Sequence, residues 1–130
     1  MSRAILKPDN DVDLYAVYSE ITDAILFVGD REAVRRWLAD DETANAADRS
    51  PVVIEGRLDR ATEYGSSSAI PLGKGNGVLY GWHDLGIRIS EGPGGPGNLP
   101  RGALFVYCCY VRDDDLERAA ACVLADEDEE

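Results

Sequence analysis

Residues 13–30, DLYAVYSEITDAILFVGD, constrain the fold more than any other stretch, because two apolar runs flank a polar corner and lead at once into a helix start. Leu14, Ala16 and Tyr18 alternate with Tyr15, Val17 and Ser19 as the two faces of a strand. Ile25, Leu26, Phe27 and Val28 then run without a break from the corner at Thr22 and Asp23 to Gly29, which predicts a β-hairpin whose second strand is the more buried. Asp30 stands where an N-cap belongs, and Glu32 adds negative charge near the positive helix end. Ala33, Val34, Trp37 and Leu38 recur at helical spacing, with Arg35, Arg36 and Asp40 left for solvent. A helix of about ten residues is only ~15 Å long and is not stable alone, so it must pack on the sheet.

Around this hairpin, 130 residues with 45% hydrophobic content predict one α+β domain: an antiparallel sheet of four to five strands with three to four helices packed on one face. A short arm at residues 1–12 would dock Ile5 and Leu6 on the sheet edge, and an acidic tail at 126–130 would fray. Residues 40–50 read as a polar loop. Ser50 followed by Pro51 is a helix start, with Leu58, Ala61 and Tyr64 on one face and Arg57, Asp59, Arg60 and Glu63 outward. Val52, Val53, Ile54 and Gly56 pull against a helix there. Residues 66–71 form a short strand, 73–77 a turn, and 78–82 and 86–90 a strand pair with Ile87 and Ile89 inward and Arg88 outward. Four glycines and two prolines within residues 91–98 make a stiff loop. Leu104, Tyr107, Cys108 and Val111 follow helical spacing after Pro100, although FVYCCYV also has strand propensity; the period and the proline favour helix. Asp113, Asp114 and Asp115 then cap a second helix with a stripe of Leu116, Ala119, Ala120, Val123 and Leu124.

The net charge of −12 is uneven. From Asp113 onward nine acidic residues face Arg118 alone, giving −8, whereas residues 1–112 carry sixteen acidic and twelve basic residues, giving −4. Such a chain does not bind a nucleic-acid backbone or an anionic membrane directly, since both need a basic surface. No apolar run approaches the roughly 18 residues of a membrane span, and the start MSRAILKPDND lacks a secretory apolar region, so a cytoplasmic protein is expected. Cys108, Cys109 and Cys122 are then expected as reduced thiols, at least two of them buried between the last two helices. Eleven Arg against two Lys points to a GC-rich genome.

Several fragments resemble a group of small uncharacterised proteins encoded by Streptomyces and by actinobacterial phages. They are Lys7-Pro8-Asp9 with Asp13-Leu14-Tyr15, Ser19, Asp23-Ala24, and the step from Gly29 to Glu32. Later come Arg60-Ala61 with Gly65 and Ser67, Gly81-Trp82 with Asp84 and Gly86, and Leu99-Pro100-Arg101. The chain departs at His83, where the group has an acidic residue, and is more apolar through residues 52–54 and 105–110. The resemblance implies a phage or prophage context, a cytoplasmic location and a helix after Arg101; it carries over no activity and no catalytic residue.

No pattern of residues compels a chemistry. Gly92, Gly94 and Gly97 match the letters of a dinucleotide loop, but Pro93 and Pro96 remove N–H donors that would cradle a pyrophosphate. Gly73-Lys74-Gly75 lacks the ending of a phosphate loop. His83 is the only histidine, and Asp84 beside it would point the other way in a strand. Ser66, Ser67 and Ser68 have no nucleophile-elbow sequence, and the cysteines lack metal-ligand spacing. No cofactor, metal or catalytic residue is assigned. The expected function is non-enzymatic protein binding, as an inhibitor, anti-defence or immunity-type factor whose acidic surface engages a basic host or defence protein. The expected contact residues are Trp82, His83, Asp84 and Arg88, with Asp113, Asp114, Asp126, Glu127 and Asp128. The bland alternative is that the acidic run only solubilises. A second function class is a small-molecule-binding protein or small enzyme with a pocket walled by Trp82, His83, Arg88 and the glycine-rich loop.

Overall fold

The computed structural model describes residues 3–68, 81–82 and 86–126. It is α+β, built on two three-stranded antiparallel sheets in place of the single sheet of four to five strands expected. The first sheet is β1 (Arg3–Leu6), β2 (Tyr15–Ser19) and β3 (Ala24–Gly29), in that order. Its central strand is β2, because residues 3–6 pair with it on the side away from the hairpin. All five residues of β2 are therefore buried, whereas β3 is an edge strand and only partly so, the reverse of the burial expected from the apolar run. A register shift explains that run. Val17 pairs with Phe27 and Tyr18 with Ile25, so Leu26 is a bulge residue without a partner in the register. The shift lets Ile25 and Val28 join the core on one face while Phe27 packs on the other.

Helices cover both faces of this sheet, not one. Ile5, Tyr15 and Val17 pack against Val34 and Leu38 of α1 (Arg31–Ala39) and Ile54, Leu58 and Ala61 of α2 (Pro51–Tyr64). Ala4, Leu6, Ala16 and Tyr18 pack against Leu104, Tyr107 and Cys108 of α3 (Leu104–Arg112). The capping residues fall where the sequence places them: Asp30 accepts from Ala33 N–H at 2.8 Å, and Ser50 accepts from Val53 N–H with Pro51 in the first turn. Glu55 of α2 receives both Arg31 and Arg35 of α1, and the two guanidiniums hold its carboxyl down at about 2.

The second sheet is β4 (Gly86–Ile89), β5 (Gly97–Pro100) and β6 (Leu124–Ala125). β4 pairs with β5, which lies within and beyond the expected loop; of its expected partner at 78–82, residues 78–80 lie outside the described residues and Trp82 is in a turn. The expected strand at 66–71 is a single bridge from Ser66 to Leu6 as far as it is described. The glycines allow the loop to be close-packed. A Cβ on Gly97 would lie 2.5 Å from the Leu124 carbonyl, and one on Gly94, at φ +85°, would lie 2.7 Å from that of Ala120. Pro100 ends β5, a 3-10 turn at Arg101–Ala103 follows, and α3 is helical as its period required. The last helix, α4 (Leu116–Ala121), is shorter than the expected stripe, since Leu124 belongs to β6 and is exposed.

Arg101, buried, is hydrogen-bonded to backbone carbonyls of Lys7 (2.9 Å), Gly65 (3.1 Å) and Gly81 (3.1 Å), and its guanidinium lies over the Trp82 ring at 5.1 Å. Replacing it by Met leaves these acceptors without their donor. Arg101→Met is expected to lower unfolding free energy by roughly 3–5 kcal/mol in urea denaturation, and an unchanged midpoint would show that the carbonyls find other partners. A second prediction concerns Gly56, which lies in the interior of α2 with open space where a Cβ would stand. Gly56→Ala should stabilise by about 1 kcal/mol, because only helix propensity changes; a loss of stability would mean that the local geometry is not that of a regular helix.

Candidate functional site

The residues singled out in the sequence fall into two separate places. Trp82 is half-buried and held by its own fold: its indole N–H donates to the Glu63 carbonyl at 3.0 Å and its backbone N–H to that of Tyr64. It borders a cleft of about 330 Å³ together with Pro8, Asp9, Asn10, Arg101 and Gly102. Arg88 is not there. It extends from β4 to form a two-pronged pair with Asp126 at 2.9 and 2.7 Å. The expected pocket joining Trp82 to Arg88 and the glycine-rich loop is therefore not formed among the described residues. His83, Asp84, Glu127 and Asp128 lie outside the described residues.

At the other place, the turn between α3 and α4 presents Asp113 and Asp114 to solvent. Asp113 ends α3, its N–H donating to the Cys109 carbonyl, and its carboxylate pairs with Arg112 at 3.2 Å. Asp114 takes φ +62°, a conformation that aspartate tolerates better than most residues, and has no ion-pair partner among the described residues. Asp115 caps α4 by accepting from Arg118 N–H. Leu116 follows at 49% exposure, then Glu117, also exposed and without an ion pair among the described residues. Leu124, 63% exposed, and Asp126 continue this acidic end. Asp126 is anchored by Arg88 and by its N–H to the Pro96 carbonyl at 3.1 Å, so the tail begins as part of the second sheet and not as a free run. The Arg88 guanidinium holds the Asp126 carboxyl below the usual carboxylate range.

A third place was missed. Val53, Gly56, Arg57 and Arg60 lie on one face of α2, and with Arg3 of β1 and Ser67 they line a groove of about 430 Å³. The signal is the spacing i, i+3, i+4, i+7, whereas the sequence alone reads Arg57 and Arg60 as outward residues beside Asp59 and Glu63. Among the described residues no catalytic grouping accompanies these places. Ser67 Oγ accepts from the Ile5 N–H at 2.8 Å and Ser66 Oγ from Ser68 N–H, so both hydroxyls serve the chain. Among the described residues no three His, Cys, Asp or Glu side chains converge as a metal site would require. Among the described residues no helix is long and apolar enough to cross a membrane. No family model, no curated protein and no solved structure matches the chain.

The three cysteines are free, but only Cys108 is fully buried; Cys109 and Cys122 are half-buried, one fewer in the core than expected. α4 is too short to cover both, and Cys122 is already beyond its last turn. Burial pushes the Cys108 thiol well above its ordinary range, which suppresses the reactive thiolate. A thiol reagent should modify Cys109 and Cys122 in the native protein and Cys108 only after unfolding. Native labelling of Cys108 at the rate of the other two would show that α3 opens readily.

Proposed function

We propose that this chain is a non-enzymatic protein-binding factor, of inhibitor, anti-defence or immunity type in a phage or prophage setting, that offers its α3–α4 end to a basic protein. The observation carrying this reading is the exposure of Leu116 and Leu124 in a segment rich in exposed carboxylates, two of which, Asp114 and Glu117, have no ion-pair partner among the described residues. Carboxylates speed encounter with a cationic surface and set orientation, while adjoining apolar side chains supply area that leaves water on contact. Exposed pairs such as Arg112 with Asp113 hold little energy, roughly 0–1 kcal/mol, and can exchange for partner contacts. Trp82 has its indole N–H and one ring face engaged within the chain, so it supports the fold more than it reaches toward a partner.

The test begins with stoichiometric capture from a bacterial lysate and proceeds to association rates with the captured protein. Asp114→Asn combined with Glu117→Gln keeps side-chain shape and should slow association about tenfold at low salt, with little difference left near 0.5 M salt. Leu116→Ser should raise the dissociation rate at either salt. If the double variant associates at the wild-type rate at low salt, the acidic end serves solubility alone.

A further inference from the structure

We infer that the groove between α2 and the start of β1 is a second, independent binding site, for a small ligand with an anionic head, phosphate or carboxylate, and a short apolar body. Its volume of about 430 Å³ lies within the range of small-molecule sites. Two guanidiniums define the head end. Arg57 donates one N–H to the Arg3 carbonyl at 2.7 Å, and Arg60 donates its Nε–H to the Ser67 carbonyl at 3.2 Å. Neither is paired with a carboxylate among the described residues, although the chain carries 25 acidic residues against 13 basic ones. A guanidinium has five N–H donors in a planar fork suited to two oxygens at once, and among the described residues one of the five is engaged in each case. Arg3 adds a third cation, whose buried Nε–H lies 3.5 Å from the Asp41 carboxylate but has no hydrogen-bond acceptor. Burial lowers the affinity of Arg57 for its proton, as does Arg60 nearby, and the attraction of Asp48, Asp41 and Glu20 does not offset the loss of water.

The body end is apolar. Val52 and Val53, 82% and 37% exposed, cover the first turn of α2 and line the groove, though β-branched side chains on a solvated helix face bring no stability there. Gly56 forms the floor. A Cβ at Gly56 would meet nothing within 4 Å, so packing does not require glycine, and helix propensity opposes it. What glycine provides at this position is room above the backbone, between the valines and the arginines. A merely structural role for Arg57 and Arg60, tying β1 and Ser67 to α2, explains one N–H of each but neither the open floor nor the exposed valines. Asp48 also lines the groove and opposes an anion, so its removal should act in the opposite direction from that of an arginine.

The experiment is a titration of the ¹⁵N-labelled full chain with phenyl phosphate, with benzoate, and with benzyl alcohol as the neutral analogue, following backbone amide shifts. At least one anion should give saturable shifts across Val53, Gly56, Arg57 and Arg60, and benzyl alcohol none; the tighter of the two anions identifies the head group. Arg60→Gln should weaken binding about tenfold and Asp48→Asn should strengthen it severalfold. Gly56→Leu decides between a site and a scaffold: leucine is a strong helix former, so melting temperature should hold or rise, while the side chain fills the floor and binding should fall at least tenfold. Absence of saturable shifts with both anions would overturn the inference. So would equal shifts with benzyl alcohol, or undiminished affinity in a folded Gly56→Leu. None of these outcomes bears on the α3–α4 end, which is tested by association with a protein.

Discussion

The buried guanidinium of Arg101 is the point at which the separate parts of this chain are joined. A cation deep in a protein needs a counter-charge or a shell of dipoles, and the contacts here include carbonyl oxygens at Lys7, Pro8, Gly65 and Gly81, with the Trp82 ring on one side. Those oxygens belong to the end of β1, the end of α2 and the segment leading into the second sheet, so one side chain fixes three chain directions. The geometry also dictates its neighbour. Gly65 ends α2 at φ +88°, and a Cβ there would stand 2.9 Å from the guanidinium and 2.8 Å from the Trp82 nitrogen, so only glycine lets the helix stop where the cation needs its carbonyl.

What could be read in the sequence was whatever depends on neighbours along the chain. Asp30, Ser50 with Pro51, and Asp115 cap helices because a cap is decided within four residues. The hairpin of β2 and β3 followed from two apolar runs and a corner. Pairing across the chain was not legible. Ile5 and Leu6 do lie at the sheet edge as expected, but nothing in residues 3–6 marks them as the strand that turns β2 into a central one, and no local pattern announces that Leu26 is bulged out. Glycines 94 and 97 looked like loop punctuation, whereas they admit the backbone of residues 120–124, a tertiary contact. The acidic end was legible through charge alone, since Asp113 and Asp114 needed only to be exposed. The groove was not, because each of Arg57 and Arg60 has an ordinary outward reading on a helix, and the wall that makes a groove of them is β1 and Ser67, far off in sequence.

Charge placement separates the two proposed surfaces. Several arginines sit in pairs that bind elements together: Arg31 and Arg35 with Glu55 across α1 and α2, Arg88 with Asp126 across β4 and the chain beyond β6. In a chain of net charge −12, Arg57 and Arg60 lack such a pair among the described residues although carboxylates are plentiful. Long-range attraction and short-range recognition then act on different ligands. On the proposed reading, a basic protein would be drawn toward the whole molecule and most strongly to residues 113–126, so its capture would be governed by encounter and weaken as salt screens it.

A small anion meets the opposite situation. It approaches a surface that repels it from beyond a Debye length of about 8 Å and is attracted only inside the groove, where the fork of each guanidinium is within bonding reach. Added salt therefore screens the repulsion as well as the attraction, and the balance is set by desolvated contacts that salt scarcely touches. Discrimination would rest on the fit of the body against Val52, Val53 and the bare backbone at Gly56, because a free inorganic anion can use the arginines but leaves that floor empty. The same net charge that favours a basic partner at one end thus makes the groove selective at the other, by requiring the apolar body to offset an unfavourable approach.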